Sequence, residues 1–288
     1  MQFEDYTPDE LLAIENKQIS ESENDALTKL NNLVGLKQVK QRIEELRLRI
    51  EFSAAVPEPG HYVFVGNPGT GKTTVARLLG EIFCDVGVLR RGHVVEVRRE
   101  DLVGLYVGVT ATKTMAKLEE ALDGILFIDE AYRLHEQGAG YGYGKESIDT
   151  ILEFIENNRY RICVICAGFI GAMEDFLNSN AGLESRFKEI ITFDDFNTDE
   201  LLQMLAVMGN DFVFDPEYIE KSRKVFEAWT AKKAQGFGNG REVRRYLQEC
   251  QDMLYKRLHR EYQSAGNTPE DQKNRLTGSD IPEKYLCL

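Results

Sequence analysis

Short apolar runs alternate with helically spaced segments over the first two thirds of the chain, and the alternation predicts the architecture. HYVFV (61–65), HVVEV (93–97), ILFID (125–129), RICVICA (161–167) and EIITF (189–193) are rich in β-branched and aromatic residues. Such near-continuous apolar runs fit strands buried on both faces, and helices between them point to a mostly parallel sheet covered on both sides. Ahead of the first run, LNNLVGLKQVKQRIEELRLRI sets Val39, Ile43, Leu46 and Ile50 at helical spacing, and PEPG at 57–60 ends that helix. Beyond Phe196 the pattern changes, and no further strand is expected. One helix is predicted to begin near Asn197 or Thr198, a second after the cap and first-turn pair Asp215-Pro216, and a third after GFGNG (236–240). The third carries one apolar stripe: Val243, Tyr246, Leu247, Cys250, Met253, Leu254 and Leu258. The polar stretch SAGNTPEDQKNRLT (263–276) reads as a loop before a short terminal segment. Residues 1–25 hold eight acidic residues against Lys17 alone, with Thr7, Pro8 and Glu10 placed as for a short capped helix. The expected organisation is an acidic appendage (1–25), an α/β domain (26–196) and a helical domain (197–288).

Composition narrows the class. Of the 288 residues 42% are hydrophobic, with 15 Phe and 12 Tyr, enough to build cores and too many for a disordered chain. No apolar run is long enough to span a bilayer, and MQFEDYTPDE lacks the basic and apolar blocks of a secretory signal, so a cytoplasmic protein without membrane partners is expected. The net charge of −13 argues against broad binding to nucleic acid, whose affinity comes largely from Lys and Arg on phosphates. Cys84, Cys163, Cys166, Cys250 and Cys287 are too scattered for a disulfide framework. Cys163 and Cys166 form a C-x-x-C within a predicted strand, where residues three apart point to opposite faces, so neither metal nor redox chemistry is assigned to them.

The candidate chemistry starts at GNPGTGKT, Gly66 to Thr73, which matches G-x-x-x-x-G-K-[ST] between a predicted strand and the helix TTVARLLGEIF. Glycines at this spacing let backbone N–H groups turn toward phosphate oxygens, and the helix amino end adds favourable partial charge. Asn67, Pro68, Gly69, Thr70, Gly71, Lys72, Thr73 and Thr74 are therefore the expected ATP-binding residues. Within this set Lys72 would reach the β- and γ-phosphates and the Thr73 hydroxyl would sit on Mg²⁺. ILFIDE supplies the second part: Asp129 at the end of a buried strand would orient the Mg²⁺ water shell, and Glu130 would act as general base toward the attacking water.

These stretches, with GHVVEVRREDLVGLYVG and GLESRF, resemble the AAA+ ATPases. Within that superfamily they are similar to the group of CbbX-type red-lineage Rubisco activases, SpoVK sporulation proteins and the ATPase module of EccA secretion proteins. The resemblance runs from about Asn32 to Tyr285 and implies a P-loop α/β module with a central parallel sheet, a C-terminal helical lid and assembly into a homo-oligomeric ring, usually a hexamer. It implies that Val34 and Gly35 lie against adenine, that Arg186 is an arginine finger entering a neighbour's site, and that Arg241 is a lid arginine directed at the γ-phosphate. It also implies that Tyr106, Val107 and Gly108 form the aromatic-apolar-glycine triplet of a pore loop. Tyr141 and Tyr143, in the glycine-rich GAGYGYG, are candidates for a second loop below it.

The chain departs from its group at Phe169, which can serve as no polar sensor. It departs again at Glu184, where an arginine is usual, and at Val109, where the closest members carry histidine. The first expectation is a ring-forming ATPase that remodels or pulls on a protein client through a central pore. A nucleotide-gated assembly scaffold and a nucleic-acid motor or loader are the alternatives.

Overall fold

In a computed structural model of the chain, residues 25–53, 57–104, 106, 108–135, 141–232, 236–265 and 272–287 are described. The acidic segment expected as an appendage, with Thr7 and Pro8, lies outside these residues apart from Asp25, and so does Val107.

Contacts divide the chain into two units, residues 1–65 with 72–192, and 66–71 with 193–288. In the first, helices α1 (Ala26–Asn32) and α2 (Lys37–Glu51) precede strand β1 (His61–Gly66) and helix α3 (Lys72–Asp85). Strand β2 (Val94–Val97), the short helix α4 (Arg99–Leu102), α5 (Val109–Glu120) and β3 (Ile125–Ile128) come next. A 3₁₀ turn (Ala131–Leu134), α6 (Tyr141–Asn157), β4 (Cys163–Gly168), α7 (Ile170–Asn178), α8 (Ala181–Arg186) and β5 (Glu189–Phe193) complete the α/β part. The predicted strands thus form, in the order β2-β3-β4-β1-β5, and every described pairing among them is parallel.

The register explains why the chemistry gathers at one edge. Val65 on β1 pairs with Gly168 on β4, and Ile128 on β3 pairs with Cys166, so β1, β3 and β4 end together. Crossover helices force every strand to run the same way, and the loops leaving the strands therefore share one carboxyl edge. β3 and β4 are buried along their whole length, and Cys163 and Cys166 sit fully inside the sheet. Burial pushes both thiols well above their ordinary pKa, and among the described residues no cluster suited to a metal exists.

The second unit is mainly helical: α9 (Thr198–Met208), α10 (Pro216–Ala231), α11 (Gly240–Ala265) and a short α12 (Glu283–Leu286). Its core is aromatic. Tyr246 on α11 meets the rings of Tyr218, Phe226, Trp229 and Tyr285 at centroid distances of 5.0 to 6.3 Å, and its hydroxyl shares a 2.8 Å hydrogen bond with Ser222. The bidentate pair Arg257–Asp280, at 2.9 and 3.0 Å, fastens the carboxyl-terminal segment to α11, with Asp280 fully buried.

Three expectations change here. Strands do not stop at Phe196, because β6 (Val213–Phe214) and β7 (Arg275–Leu276) form a two-stranded parallel pair. Asp215 occupies the cap position of α10 but makes no capping bond; its carboxylate accepts from Arg275 at 2.8 Å, holding that pair together. Strands two residues long leave no periodic trace in a sequence. Residues 263–265, expected in a loop, belong to α11, which continues to Ala265. Tyr141 and Tyr143 lie in the first turn of α6, where Tyr143 packs against the α/β core, so they do not line a separate loop. Among the described residues no helix is long and apolar enough to cross a membrane.

Candidate functional site

The loop between β1 and α3 is built from residues that must take left-handed backbone. Gly66, Gly69 and Gly71 have φ of 154°, 72° and 97°. A Cβ on Gly66 would meet the Phe193 carbonyl at 2.4 Å, and one on Gly69 would meet the Gly238 carbonyl at 2.1 Å, so both positions require glycine on space as well as φ. Thr70 is buried, its hydroxyl donating to the Asn67 carbonyl at 2.8 Å. Lys72 and Thr73, partly buried, open α3, whose amino end follows the glycines; Thr74 is exposed.

This loop belongs to the helical unit through polar contacts that sequence reasoning missed. The Asn67 amide donates to both Asp195 carboxylate oxygens at 3.0 Å and accepts from the Gly236 N–H at 3.1 Å. Asn239 is fully buried with φ of 46°, and its amide donates to Asp195 at 2.7 Å, to the Phe237 carbonyl at 3.1 Å and to the Pro68 carbonyl at 3.3 Å. The Gly240 N–H donates to the Gly69 carbonyl at 3.1 Å. The available signal was GNG: asparagine is the side-chain-bearing residue that best tolerates left-handed φ, and a glycine on either side marks an unusual backbone. Arg241 is exposed on the first turn of α11.

At the carboxyl edge of the sheet, Asp129 follows β3 and its N–H donates to the Val97 carbonyl at 2.9 Å. Glu130 comes next, with φ of 54°. A glutamate in the left-handed region is strained by about 1–2 kcal/mol, and such strain clusters at functional sites. The bend turns the Glu130 carboxylate back toward the 3₁₀ turn, where Arg133 donates at 3.2 Å and the Tyr132 hydroxyl at 3.5 Å. Arg133 also stands 3.7 Å from Glu100 on α4, and Arg98 reaches Asp129 at 3.5 Å. Phe169, just after β4, packs its ring 6.1 Å from that of Tyr132 and offers no polar group.

The remaining expected residues are separate features of the α/β unit. Gly35 and Leu36 have consecutive left-handed backbones (φ 64° and 57°) that turn the chain between α1 and α2, and Val34 beside them is partly buried. Lys40 caps this turn by donating to the carbonyls of Asn31 and Leu33. Arg186 ends α8 and donates to Glu156 at 2.8 Å, while its Nε is buried without a hydrogen-bond partner. Tyr106 lies between α4 and α5 with 74% of its surface exposed, which excludes a core role. Gly108 beside it has φ of 81° and no atom near the position of a Cβ. The two ends of this segment are pinned, by Gly104 N–H donating to Thr110 at 3.0 Å and by Thr114 donating to the Leu102 carbonyl at 3.1 Å.

Comparison with known proteins places this arrangement. The profile "ATPase family associated with various cellular activities (AAA)" matches residues 62–195 and the AAA lid domain profile matches 197–286. The plasmid-borne protein CbxX of Cupriavidus necator is 41% identical over 261 residues, covering 86% of this chain and 80% of that one. The chain belongs to the AAA ATPase family. As an AAA ATPase it binds and hydrolyses ATP. The chloroplastic ribulose bisphosphate carboxylase/oxygenase activase of Cyanidioschyzon merolae is similarly related, 39% identical over 225 residues that cover 75% of this chain and 76% of the relative. Among solved structures, the FIGL-1 AAA domain in complex with ADP superposes with a TM-score of 0.60 at 16% identity, covering 86% of this AAA chain and 80% of that one, which speaks for the fold.

Proposed function

We propose that this AAA ATPase assembles into a ring, with a hexamer the expected size, and uses ATP hydrolysis to pull on or remodel a protein client. The observation that carries the reading is Tyr106. Its large ring stands 74% exposed on a segment whose two ends are pinned by hydrogen bonds, so it is presented to solvent from a fixed base. A tyrosine there can wedge between side chains of an extended polypeptide without demanding a sequence, and Val107 and Gly108 complete the gripping triplet.

Each site residue then has a role. Gly66–Thr74 cradle the phosphates, with Lys72 on the β- and γ-phosphates, while Val34 and Gly35 lie against adenine. The left-handed glycines and the helix amino end behind them suit a phosphate and its metal, and Thr73 and Asp129 would hold Mg²⁺, which supplies charge neutralisation on the phosphate oxygens. Glu130 takes the proton from the attacking water. Arg186 serves the site of a neighbouring subunit, leaving Glu156 to do so, and Arg241 answers to the γ-phosphate. The 26–196 and 197–288 division is the working description of the domains.

The test is Tyr106→Ala. It is expected to leave folding, assembly and basal ATP turnover near wild type while removing work on the client. Because the Cyanidioschyzon merolae relative is a ribulose bisphosphate carboxylase/oxygenase activase, that enzyme is the first client to assay. A fall of several degrees in melting temperature with client activity retained would show that Tyr106 grips nothing.

A further inference from the structure

The loop that carries the phosphate-binding glycines is not held by the sheet alone. Three successive loop residues, Asn67, Pro68 and Gly69, each give a polar group to the segment 236–240 or to Asp195. Asn239 is the member that joins the loop, at Pro68, to Asp195. Its two amide protons serve acceptors on Asp195, Phe237 and Pro68, and its oxygen accepts from the Phe196 N–H at 2.9 Å. Asp195 is the second hinge of the network, since the same carboxylate receives Asn67 and Asn239.

We infer that Asn239 is a positioning residue for ATP: with Asp195 it fixes the conformation of Asn67–Gly69 before the nucleotide arrives. The inference rests on the reading of Gly66–Thr73 as the phosphate cradle. A loop with glycines at 66, 69 and 71 has many conformations to lose, and ordering it on binding would subtract directly from affinity. A buried, hydrogen-bonded network that holds the loop beforehand removes that loss. The same geometry explains why asparagine stands at 239. The position needs a left-handed backbone and, at once, a side chain with two donors and an acceptor, a combination glycine cannot meet.

Two features separate positioning from mere stability. Asn239 is fully buried with its amide bonded to protein groups, so its loss should raise the Kd and KM for ATP while turnover at saturating ATP is kept. Glycine at 239 relaxes the backbone but has no amide, so it separates the two reasons for asparagine.

The experiment uses the full chain and measures ATP and ADP affinity by calorimetry, steady-state turnover and nucleotide-free melting for Asn239→Ala, Asn239→Gly and Asp195→Asn. In Asp195→Asn one acceptor oxygen becomes a donor: if Oδ1 is kept, the new N–H₂ stands against the Asn67 amide donor, and if the amide flips, it stands against both Asn67 and Asn239. Expected are Kd and KM raised about tenfold or more in all three, kcat within about twofold, and glycine no better than alanine. Wild-type affinity in Asn239→Gly would overturn the inference by showing that only the backbone matters. An unchanged KM with a fallen kcat and a lowered nucleotide-free melting temperature would overturn it in favour of a structural residue. If Asn239→Ala does not fold, the other two variants decide. Lys72→Ala is the parallel control: were it to bind ATP as tightly as wild type, the cradle reading itself would fall, a result distinct from either of the others.

Discussion

The loop proposed to bind phosphate and the residues proposed for chemistry are held by different forces. Asn67, Pro68 and Gly69 sit in a network of neutral amide and backbone hydrogen bonds around one carboxylate, centred on the fully buried Asn239. Asp129, Glu130 and Arg186 are each held by an ion pair open to water, with Arg98, Arg133 and Glu156 respectively. Exposed pairs are worth about 0–1 kcal/mol and are readily exchanged, whereas breaking a buried hydrogen bond leaves a desolvated group costing about 1–3 kcal/mol. The loop proposed for binding is thus built on parts that resist change, and the residues proposed for chemistry sit on parts that can swap partners.

The largest test of the exchangeable half is Arg186→Ala. Hydrolysis is expected to fall by roughly 10³ to 10⁵ while ATP affinity, measured by calorimetry, stays close to wild type. Equal mixtures of Arg186→Ala and Glu130→Gln subunits should recover part of the activity wherever an intact finger faces an intact base. Recovery absent from mixtures shown to co-assemble would mean that Arg186 does not act across an interface. Next in size, Glu130→Gln is expected to slow turnover by about 10² to 10⁴ and leave ATP bound, so that any assembled species accumulate. Turnover at the wild-type rate would remove Glu130 as the base.

A pH measurement sharpens the surroundings of Arg186. His61 on β1 is held neutral, its pKa pushed down from 6.5 to about 4, chiefly by burial and then by the charge of Arg186. Between those values only the unfolded chain takes the proton. Stability from this group is therefore fully present above pH 6.5 and declines as pH falls toward 4, by about 3 kcal/mol. Urea unfolding of wild type and His61→Asn from pH 4.5 to 7 should show the two curves diverging across that window, and parallel curves would refute the shift. The smallest effect is expected from Arg133→Ala. Releasing Glu130 from an exposed pair should raise basal turnover by no more than about fivefold, the equivalent of 1 kcal/mol, and added salt should reduce the difference. A fall in turnover would show that Arg133 supports the glutamate instead of restraining it.

Much of the α/β part was legible along the chain. Strands buried on both faces leave continuous apolar runs, so HYVFV, ILFID and RICVICA could be read without any knowledge of their neighbours, and the glycine spacing of GNPGTGKT carried its own context. The two-residue strands at 213–214 and 275–276 were not legible, because their stability comes from each other and from the Asp215–Arg275 pair across 60 residues of chain. GAGYGYG misled for a related reason. Glycine-rich composition argues for a loop, but Tyr143 packs against the core and the helix starts there in spite of its glycines.

By itself the sequence determined the alternation of strand and helix, the glycine-rich loop between β1 and α3, and the acidic pair at the end of β3, since each depends on residues adjacent in the chain and on the periodicity of its own element. Only the tertiary structure decided that the Asn67 amide would meet Asp195 and the Gly236 N–H, 128 and 169 positions away, and that Glu130 would bend back onto Arg133. A buried amide is indifferent to how far along the chain its partner lies. It must be satisfied where the fold leaves it, and sequence separation carries no information about that meeting.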